Sequence, residues 1–255
     1  MLRKDLRRNA AVSGTADPAE IARFTALAEE WWKPDGAFKA AHDFNGARVA
    51  HLAARLPALM ARDPGALRPL QGLRMIDVGC GAGLATEPLS RLGADTLGID
   101  ATERNVRVAT HHAAASGAPV RYRHALPEEV VAEGLVFDIV MCLEVVEHVA
   151  DLPAFLAALA RLTAPGGILA IATLNRTLRS FAVAIVAAEY LFHMMPRGTH
   201  SWRKFVTPAE LAASLAPHGL RSVERTGMNF HPLTRRWSIG GGDGVAYIQF
   251  HRKVA

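Results

Sequence analysis

The sequence predicts an α/β fold with a mostly parallel, doubly wound sheet and a helical cap at its N-terminal end. Two features of the chain carry this prediction. Short apolar strands alternate with helical segments between residues 73 and 173, and a glycine-rich turn follows the first of these strands. Alternation of strands and helices with short connections is typical of a parallel sheet that helices cover on both faces.

The first 72 residues are predicted to be helical. Asp17 is followed by a proline and, three residues after it, by Glu20, which is the pattern of a capped helix start. This helix is expected to run to about Trp32, where residues 33–36 break it, and a second helix is expected over 46–59. The predicted organisation is one domain over 1–255, with the cap at 1–72 and the core at 73–255.

The core is expected to alternate between strands and helices. The expected strands are 73–78, 95–100, 119–124, 136–143 and 167–173, and the expected helices are 82–92, 102–116 and 152–163. Pro88 lies inside the first of these helices and removes a backbone hydrogen bond, so we expect a distorted early turn there. After a helix that begins at Thr207, strands near 220–226 and 245–251 are expected to form an antiparallel hairpin at the sheet edge.

The composition limits the class of protein. Half of the 255 residues are hydrophobic, which is enough for a sizeable core, and the net charge of +5 favours anionic partners such as nucleic acid, phospholipid or acidic metabolites. Cys80 and Cys142 give no disulfide framework, so a reducing cytosol is expected. We expect no secretory signal, and no apolar stretch reaches the roughly 18–20 residues of a membrane-spanning helix.

The turn after the first strand predicts a nucleoside cofactor. Gly79, Gly81 and Gly83 allow the backbone to approach a ligand closely. Asp100, at the end of the next strand, is placed to accept two ribose hydroxyls. The spacing suits NAD, FAD and S-adenosylmethionine, but a dinucleotide fingerprint has its third glycine three residues after the second, not two. Asp77-Val-Gly-Cys-Gly81 resembles the first motif of class I S-adenosylmethionine-dependent methyltransferases, which implies a Rossmann-like core with Asp77 under the methionine end of the cofactor.

A cluster of polar residues follows the fourth strand. Glu144, Glu147 and His148 are spaced i, i+3, i+4, so in a helical turn they share one face at the carboxyl edge of the sheet. Two carboxylates and an imidazole suit a divalent ion such as Mg or Zn, which would favour the phenolate form of an acceptor. Alternatively, His148 acts as the general base, with Glu144 as the second catalytic candidate, or the acids hold the loop and the histidine lines the pocket.

Several longer phrases are spread over about residues 9–250. They are Trp31-Trp-Lys-Pro-Asp-Gly-Ala-Phe-Lys39 with His42, Asn45 and Arg48, then Thr173-Leu-Asn-Arg176, Ala188-Glu-Tyr190, Pro196-Arg-Gly-Thr-His200, Lys204-Phe205, Pro208-Ala-Glu-Leu211 and Thr226-Gly-Met228. The Trp-Trp and Pro-Arg-Gly-Thr-His phrases are far more specific than the glycine motif. Together these phrases resemble the ubiquinone-biosynthesis O-methyltransferase family.

The resemblance implies two O-methylations of a polyprenylated aromatic ring, on a 2-polyprenyl-6-hydroxyphenol and on 3-demethylubiquinol. It implies a seven-stranded sheet of order 3-2-1-4-5-7-6 with an antiparallel last strand, and other enzymes of ubiquinone biosynthesis as candidate partners. A guanidinium fork suits the methionine carboxylate, so Arg48 is a sensible contact; its alternative is a surface arginine. The implied cofactor contacts are Arg48, Asp77, Gly79, Gly81, Asp100 and Leu143, and the implied metal ligands are Glu144, Glu147 and His148.

A membrane-docking helix over 177–195 is expected within an insertion at about 175–205. One apolar face would carry Leu178, Phe181, Ile185 and Phe192, and a second would carry Val183, Val186, Tyr190 and Met194. Flanking cations at Arg176, Arg179, Arg197, Arg203 and Lys204 are expected to bind anionic lipids such as phosphatidylglycerol and cardiolipin. The expected location is cytoplasmic and peripheral at the inner membrane. A buried helix or a dimer contact is the alternative.

Other activities stay open at this point. A C-methyltransferase of a quinone ring or another small-molecule methyltransferase fits the same motifs. A nucleic-acid methyltransferase is disfavoured because Cys142-Leu-Glu-Val145 replaces the Asp/Asn-Pro-Pro-aromatic turn of such enzymes, and basic residues are not interleaved with aromatic ones. We therefore expect no nucleic-acid partner. The intact glycine motif argues against a scaffold protein without catalytic activity.

Overall fold

An α/β sheet with an antiparallel end organises the chain. The structure is a computed structural model that describes residues 14–32, 39–181, 202–231 and 236–254. Within these ranges one sheet of eight strands has the order β3-β2-β1-β4-β5-β8-β6-β7. The strands are β1 Arg74–Val78, β2 Asp95–Asp100, β3 Val120–His124, β4 Phe137–Leu143, β5 Thr163–Leu174, β6 Leu220–His231, β7 Arg236–Ile239 and β8 Ala246–Lys253.

The helices lie between these strands and before them. They are α1 Pro18–Leu27, α2 Lys39–Leu59, α3 Thr86–Ser90, α4 Glu103–Ser116, α5 Pro127–Ala132, α6 Leu152–Leu162, α7 Leu178–Ser180 and α8 Pro208–Leu215. The Asp17 carboxylate caps α1 by accepting from the Ala19 amide at 3.0 Å, as the capping pattern predicted. The first two helices have other bounds than expected, since α1 ends at Leu27 and α2 begins at Lys39.

The sheet confirms the class I fold but corrects the strand number from seven to eight. Strands β1 to β5 are parallel to one another, and β8 lies antiparallel between β5 and β6. This is the expected order, with β7 added beyond β6 as a further antiparallel edge strand. The predicted pairing of the two late strands is confirmed, but β7 takes the edge position in their place.

Two helices also differ from the expectation. The helix expected over 82–92 is shortened to Thr86–Ser90, because the glycine turn continues to Gly83 with a positive φ of 89°. A short helix, α5, fills the connection after β3 and was not predicted. Both differences arise where the chain turns at the carboxyl edge of the sheet, at which ligands bind in this class of fold.

The sheet is buried on both faces, which explains the continuous apolar strands. In β4, Ile139 and Met141 join an apolar cluster with α2 and α3, whereas Val140 and Cys142 join a cluster with α6 and α8. A buried parallel sheet needs helices on both faces to exclude water from the strands. Those helices leave the carboxyl ends of β1, β2, β4 and β5 as the place for a polar site.

The predicted membrane-docking helix lies mostly outside the described residues. Residues 182–201, which include Ile185, Phe192, Val183, Val186, Tyr190, Met194 and Arg197, are not among them. The Thr177 hydroxyl caps the start of α7, and Leu178 is 82% exposed. One predicted headgroup contact is wrong: the Arg176 side chain is buried and pairs with Glu210. Among the described helices, none is long and apolar enough to cross a bilayer.

Candidate active site

The turn after β1 follows a path that only glycine tolerates. Gly79 and Gly83 have φ of 77° and 89°, in the left-handed region that L side chains avoid. A Cβ at Gly79 would lie 2.4 Å from the Val145 side chain, and one at Gly83 would lie 2.3 Å from the Tyr122 hydroxyl. The predicted cofactor turn therefore lies directly against the loop that follows β4.

Asp100 stands at the end of β2, as predicted, and holds this turn in place. Its Oδ2 accepts from the Gly81 amide at 2.9 Å, and its Oδ1 accepts from the Thr102 amide at 2.8 Å and the Asn105 side chain at 3.3 Å. Burial raises the pKa of Asp100, and these donors oppose that shift. A carboxylate has about four acceptor positions, so the arrangement keeps capacity for a ribose hydroxyl.

Asp77, the last acid of β1, lies under the turn. Its Oδ2 accepts from the Thr86 hydroxyl at 2.6 Å, while its buried Oδ1 has no hydrogen-bond partner within the described ranges. Burial raises the pKa of Asp77 to about 6. An unused acceptor on a buried carboxylate fits an ammonium donor, which the methionine end of S-adenosylmethionine carries.

Arg48 on α2 is a buried cation rather than a surface arginine. Its Nη2 donates to Asn45 Oδ1 at 2.9 Å, and its guanidinium lies 4.9 Å from the Phe44 ring centroid. Nε and Nη1 have no hydrogen-bond partner in the described part of the chain, and Nη1 is 3.6 Å from Glu144 Oε1. Burial lowers the pKa of Arg48, and the nearby Glu144 and Asp77 oppose that effect. A guanidinium with unused donors fits the cofactor's carboxylate.

The turn after β4 is not helical, so the predicted shared face of Glu144, Glu147 and His148 is wrong. Glu144 has a φ of 58°, which stops a helix at its first residue. The Glu147 Oε2 accepts from the Thr173 hydroxyl at 2.9 Å, and His148 Nδ1 lies 3.2 Å from Oε2 of Glu20. In the ranges that the structure describes, no three His, Cys, Asp or Glu side chains converge as metal ligands.

The two carboxyl groups of this turn nevertheless act on each other. Burial, followed by the neighbouring Glu147 carboxylate, raises the pKa of Glu144 to about 8, and the Arg48 cation opposes this. The Oε1 atoms of both glutamates are buried and lack hydrogen-bond partners among the described residues. A carboxyl group with a raised pKa keeps its proton at neutral pH, so the pair offers a proton donor as well as acceptor oxygens next to the predicted cofactor turn.

Leu143 ends β4 and is buried beside this turn. The backbone amide of the following residue, Glu144, donates to the Ala172 carbonyl at 2.9 Å, so the strand pairing with β5 fixes where the turn begins. This position at the carboxyl end of a central strand agrees with the predicted backbone or apolar contact of Leu143 to the cofactor.

The cap brings Trp31 and Trp32 to this region, the two residues that the Trp-Trp phrase offers as walls of a ring pocket, with a core position for one of them as the alternative. Trp31 Nε1 donates to Asn105 Oδ1 at 3.1 Å, and a Cβ at Gly81 would lie 3.2 Å from the Trp31 ring. The Trp32 ring stacks on His112 with centroids 3.4 Å apart. Neither tryptophan belongs to the buried core. The Trp-Trp phrase was the available signal, but its spacing gave no contact across the fold.

Fold and site together define a class I S-adenosylmethionine-dependent methyltransferase. A family model described as a methyltransferase domain matches residues 76–171. Magnesium protoporphyrin IX methyltransferase from Synechocystis PCC 6803 with bound SAH is similar, with a TM-score of 0.58 and 21% identity over 83% of this chain and 85% of that chain. The [4+2]-cyclase SpnF is also similar, with a TM-score of 0.62 and 14% identity over 98% of this chain and 100% of that chain. These structures show the fold alone.

Sequence relatives narrow the assignment. The ubiquinone biosynthesis O-methyltransferase of Parvibaculum lavamentivorans is 46% identical over 242 residues, which cover 95% of this chain and 96% of the relative. The protein of the same name from Cereibacter sphaeroides (strain ATCC 17025) is 47% identical over 237 residues, which cover 92% of this chain and 96% of the relative. The chain therefore belongs to the ubiquinone biosynthesis O-methyltransferase family, and the resemblance seen in its sequence is confirmed.

Replacing Asp100 by alanine is expected to weaken binding of S-adenosylhomocysteine about tenfold or more, because a hydrogen bond to a charged group contributes about 1.5–3 kcal/mol. Isothermal titration calorimetry measures this. Asp95 is the matched control, since it begins the same strand, is exposed and pairs with Arg121. Asp95→Ala is expected to leave the dissociation constant unchanged. An unchanged constant for Asp100→Ala, with an unaltered thermal unfolding temperature, would contradict the ribose assignment.

Proposed function

We propose that this chain transfers methyl groups from S-adenosylmethionine to hydroxyls of polyprenylated catechol and hydroquinone rings. The acceptors are 2-polyprenyl-6-hydroxyphenol and 3-demethylubiquinol, so the enzyme carries out both O-methylations of ubiquinone biosynthesis. The observation that carries the proposal is the pair of interacting carboxyl groups of Glu144, which is partly buried, and Glu147, which is buried. Both lie on the loop whose Val145 side chain packs against the cofactor turn. The names of the relatives agree with it. Association with other enzymes of this biosynthesis stays a prediction.

The proposed reaction needs a proton acceptor beside the methyl donor. When bound, S-adenosylmethionine supplies an electrophilic methyl group, and the acceptor oxygen must present a lone pair in line with it. A phenol with a pKa of about 10 is mostly protonated at neutral pH, so the chain must accept its proton. His148 is the proposed general base. Glu144, whose pKa burial raises to about 8, is the proposed partner of the neighbouring ring oxygen.

Product analysis tests the activity and the two catalytic residues. The protein, labelled S-adenosylmethionine and a short-tailed demethylubiquinol analogue are expected to give a product methylated on oxygen, as shown by mass and regiochemistry. His148→Asn and Glu144→Gln are each expected to lower kcat about 10²- to 10⁴-fold, the range for general acid–base groups, with cofactor affinity retained. Methyl on a ring carbon would instead identify a C-methyltransferase, and no product would refute the proposal.

We also propose a divalent ion at the acceptor site. Only two side chains of the protein, Glu144 and Glu147, are proposed as its ligands. The unpartnered Oε1 atoms of Glu144 and Glu147 are hard oxygen donors, which suit magnesium better than zinc. His148 is left out because, among the described residues, its side chain does not converge with the two carboxylates as a third ligand. An ion held by the two carboxylates would favour the phenolate of a catechol.

An assay in excess chelator tests the metal proposal separately from the proposed methyl transfer. Activity is expected to fall in excess chelator and to return with magnesium, because the two carboxylates and the ring oxygens of a catechol are oxygen donors of the kind that magnesium prefers. Glu147→Gln is expected to raise the magnesium concentration required for half-maximal activity, whereas the surface variant Glu133→Gln is not. Full activity of the wild type in excess chelator would show that the protein's own bases suffice.

The membrane proposal concerns the insertion at about 175–205. The acceptor's polyprenyl tail lies in the bilayer, and Leu178 and Phe181 are exposed apolar side chains where the insertion begins. Large exposed apolar side chains with nearby cations, here Arg179 and Arg203, suit the surface of an anionic membrane. We infer a cytoplasmic enzyme that docks peripherally on phosphatidylglycerol- or cardiolipin-containing inner membrane.

Liposome flotation tests this docking. Binding to phosphatidylglycerol or cardiolipin vesicles is expected to weaken with salt and to fall strongly in Leu178→Glu, because an inserted leucine contributes about 1.5–3 kcal/mol. The control is Leu67→Glu, which changes a leucine that is 94% exposed but lies in the loop before β1. Equal losses in both variants, or none in either, would place the docking surface elsewhere.

A further inference from the structure

The glycine turn after β1 accepts hydrogen bonds from side chains of the cap. The indole Nε1 of Trp32 donates to the Ala82 carbonyl at 2.9 Å, and the Asn45 side chain donates to the Leu84 carbonyl at 2.7 Å. Ala82 stands between two glycines with positive φ, and glycine loses more conformational freedom on folding than any other residue. The shape of this turn therefore depends on hydrogen bonds that come from outside it.

The Trp32 ring is itself held in a fixed place. It stacks on the imidazole of His112, with ring centroids 3.4 Å apart and an angle of 4° between the planes. The carboxylate oxygens of Glu87 lie 2.8 and 3.0 Å from His112 Nδ1, and the Ser116 hydroxyl donates to the same carboxylate at 2.9 Å. Glu87 is only 4% exposed, so the imidazole under Trp32 is anchored to a buried and well-bonded group.

These contacts close a circuit around the turn. The Glu87 amide donates to the Gly83 carbonyl at 3.0 Å, which joins α3 to the end of the turn. Trp32 connects the turn to α4 through His112, and Glu87 connects α4 back to the turn. Since Trp32 comes from the cap, one indole ring links the cap, the turn and two helices of the core.

The same contacts place Trp32 on the cofactor side of the site. The carbonyl that it binds belongs to the turn after β1, and His112 lies on α4, the helix that follows β2. The carboxyl groups of Glu144 and Glu147, in contrast, follow β4. The position of Trp32 therefore favours a role toward the cofactor over the wall of a ring pocket.

We propose that Trp32 is a positioning residue that fixes the glycine turn in its cofactor-binding shape, with His112 as the support of its ring. This inference rests on the proposed function only for the cofactor, because it concerns the binding of S-adenosylmethionine and not the choice of acceptor. A turn that already has its bound shape loses less conformational entropy when the cofactor binds, so the hydrogen bond from Trp32 raises the affinity through the turn.

Isothermal titration calorimetry with S-adenosylhomocysteine tests this role. Trp32→Phe keeps an aromatic ring on His112 but removes the donor to Ala82, and it is expected to raise the dissociation constant about 3- to 10-fold, the range for one lost hydrogen bond. The matched control is Trp202→Phe, because the Trp202 Nε1 donates to the Thr177 carbonyl at 2.9 Å, outside the glycine turn. This control is expected to leave the dissociation constant unchanged.

A double-variant comparison tests the support from His112. His112→Ala is expected to weaken binding of S-adenosylhomocysteine, because Trp32 loses the ring on which it stacks. If His112 acts through Trp32, the double variant Trp32→Leu/His112→Ala is expected to bind no more weakly than Trp32→Leu alone. Fully additive losses would contradict the assignment of His112 as the support of Trp32.

Amide hydrogen exchange of the unliganded protein distinguishes an effect on the turn from a loss of overall stability. The Gly81 amide donates to Asp100 at 2.9 Å, and the Gly83 amide donates within the turn at 3.0 Å. Exchange over residues 80–85 is expected to become faster in Trp32→Phe, with exchange in the rest of the sheet unchanged. Faster exchange throughout the protein would show that Trp32 only stabilises the fold, and would overturn the inference.

Kinetics with a catechol analogue provide the last readout. Trp32→Phe is expected to raise KM for S-adenosylmethionine by the same factor as the dissociation constant, with kcat within about twofold of the wild type. A fall in kcat at unchanged KM would place Trp32 at the acceptor and overturn the inference. So would wild-type affinity for S-adenosylhomocysteine in Trp32→Phe, whereas a wild type that does not bind S-adenosylhomocysteine would overturn the proposed function itself.

Discussion

The site depends on one buried cation. Arg48 stands among the carboxyl groups that collect at the carboxyl ends of β1 and β4, and Glu144, Asp77 and Glu147 are the charges that sustain its ionisation. Without Arg48, Asp77 and Glu144 would each lose the cation that opposes the effect of burial on their carboxyl groups, and removing one partner from a buried charge pair costs several kcal/mol. The cation thus permits an acidic pocket while leaving donors for an anionic group of a ligand.

This requirement explains why the cap is part of the site. Arg48 comes from α2, and Arg55 on the same helix fixes it to β6 through two contacts with Glu224, the longer at 2.8 Å. The Asn45 side chain donates to the Leu84 carbonyl at 2.7 Å, which joins α2 to the glycine turn. Phe44 lies between the Arg48 guanidinium and the Trp237 ring of β7. The additional edge strand therefore supports the helix that supplies the cation.

Sequence patterns predicted the elements whose structure depends mainly on residues close together in the chain. Strands β1 to β4 were found within a residue of their bounds because continuous apolar runs between turns have few other structures. Strand β7, four residues with an arginine and a serine, lacks such a run. The i, i+3, i+4 spacing of Glu144, Glu147 and His148 is compatible with a helix and also with the turn that forms. The spacing alone therefore could not distinguish the two. The contacts of Glu20 and Trp31 join distant segments, and no spacing in the sequence records them.

Glu144 shows why the turn departs from a helix. It is a non-glycine residue at a φ of 58°, a conformation that costs about 1–2 kcal/mol for an L residue. The other such residue among those described, Ala61, lies in the turn just after α2, where left-handed residues are common. Glycine at 144 would remove the strain but also the carboxyl group that faces Arg48. Strain retained at this partly buried, pKa-shifted acid agrees with the role proposed for Glu144, because the pairing with β5 holds the carboxyl group where a relaxed backbone would not.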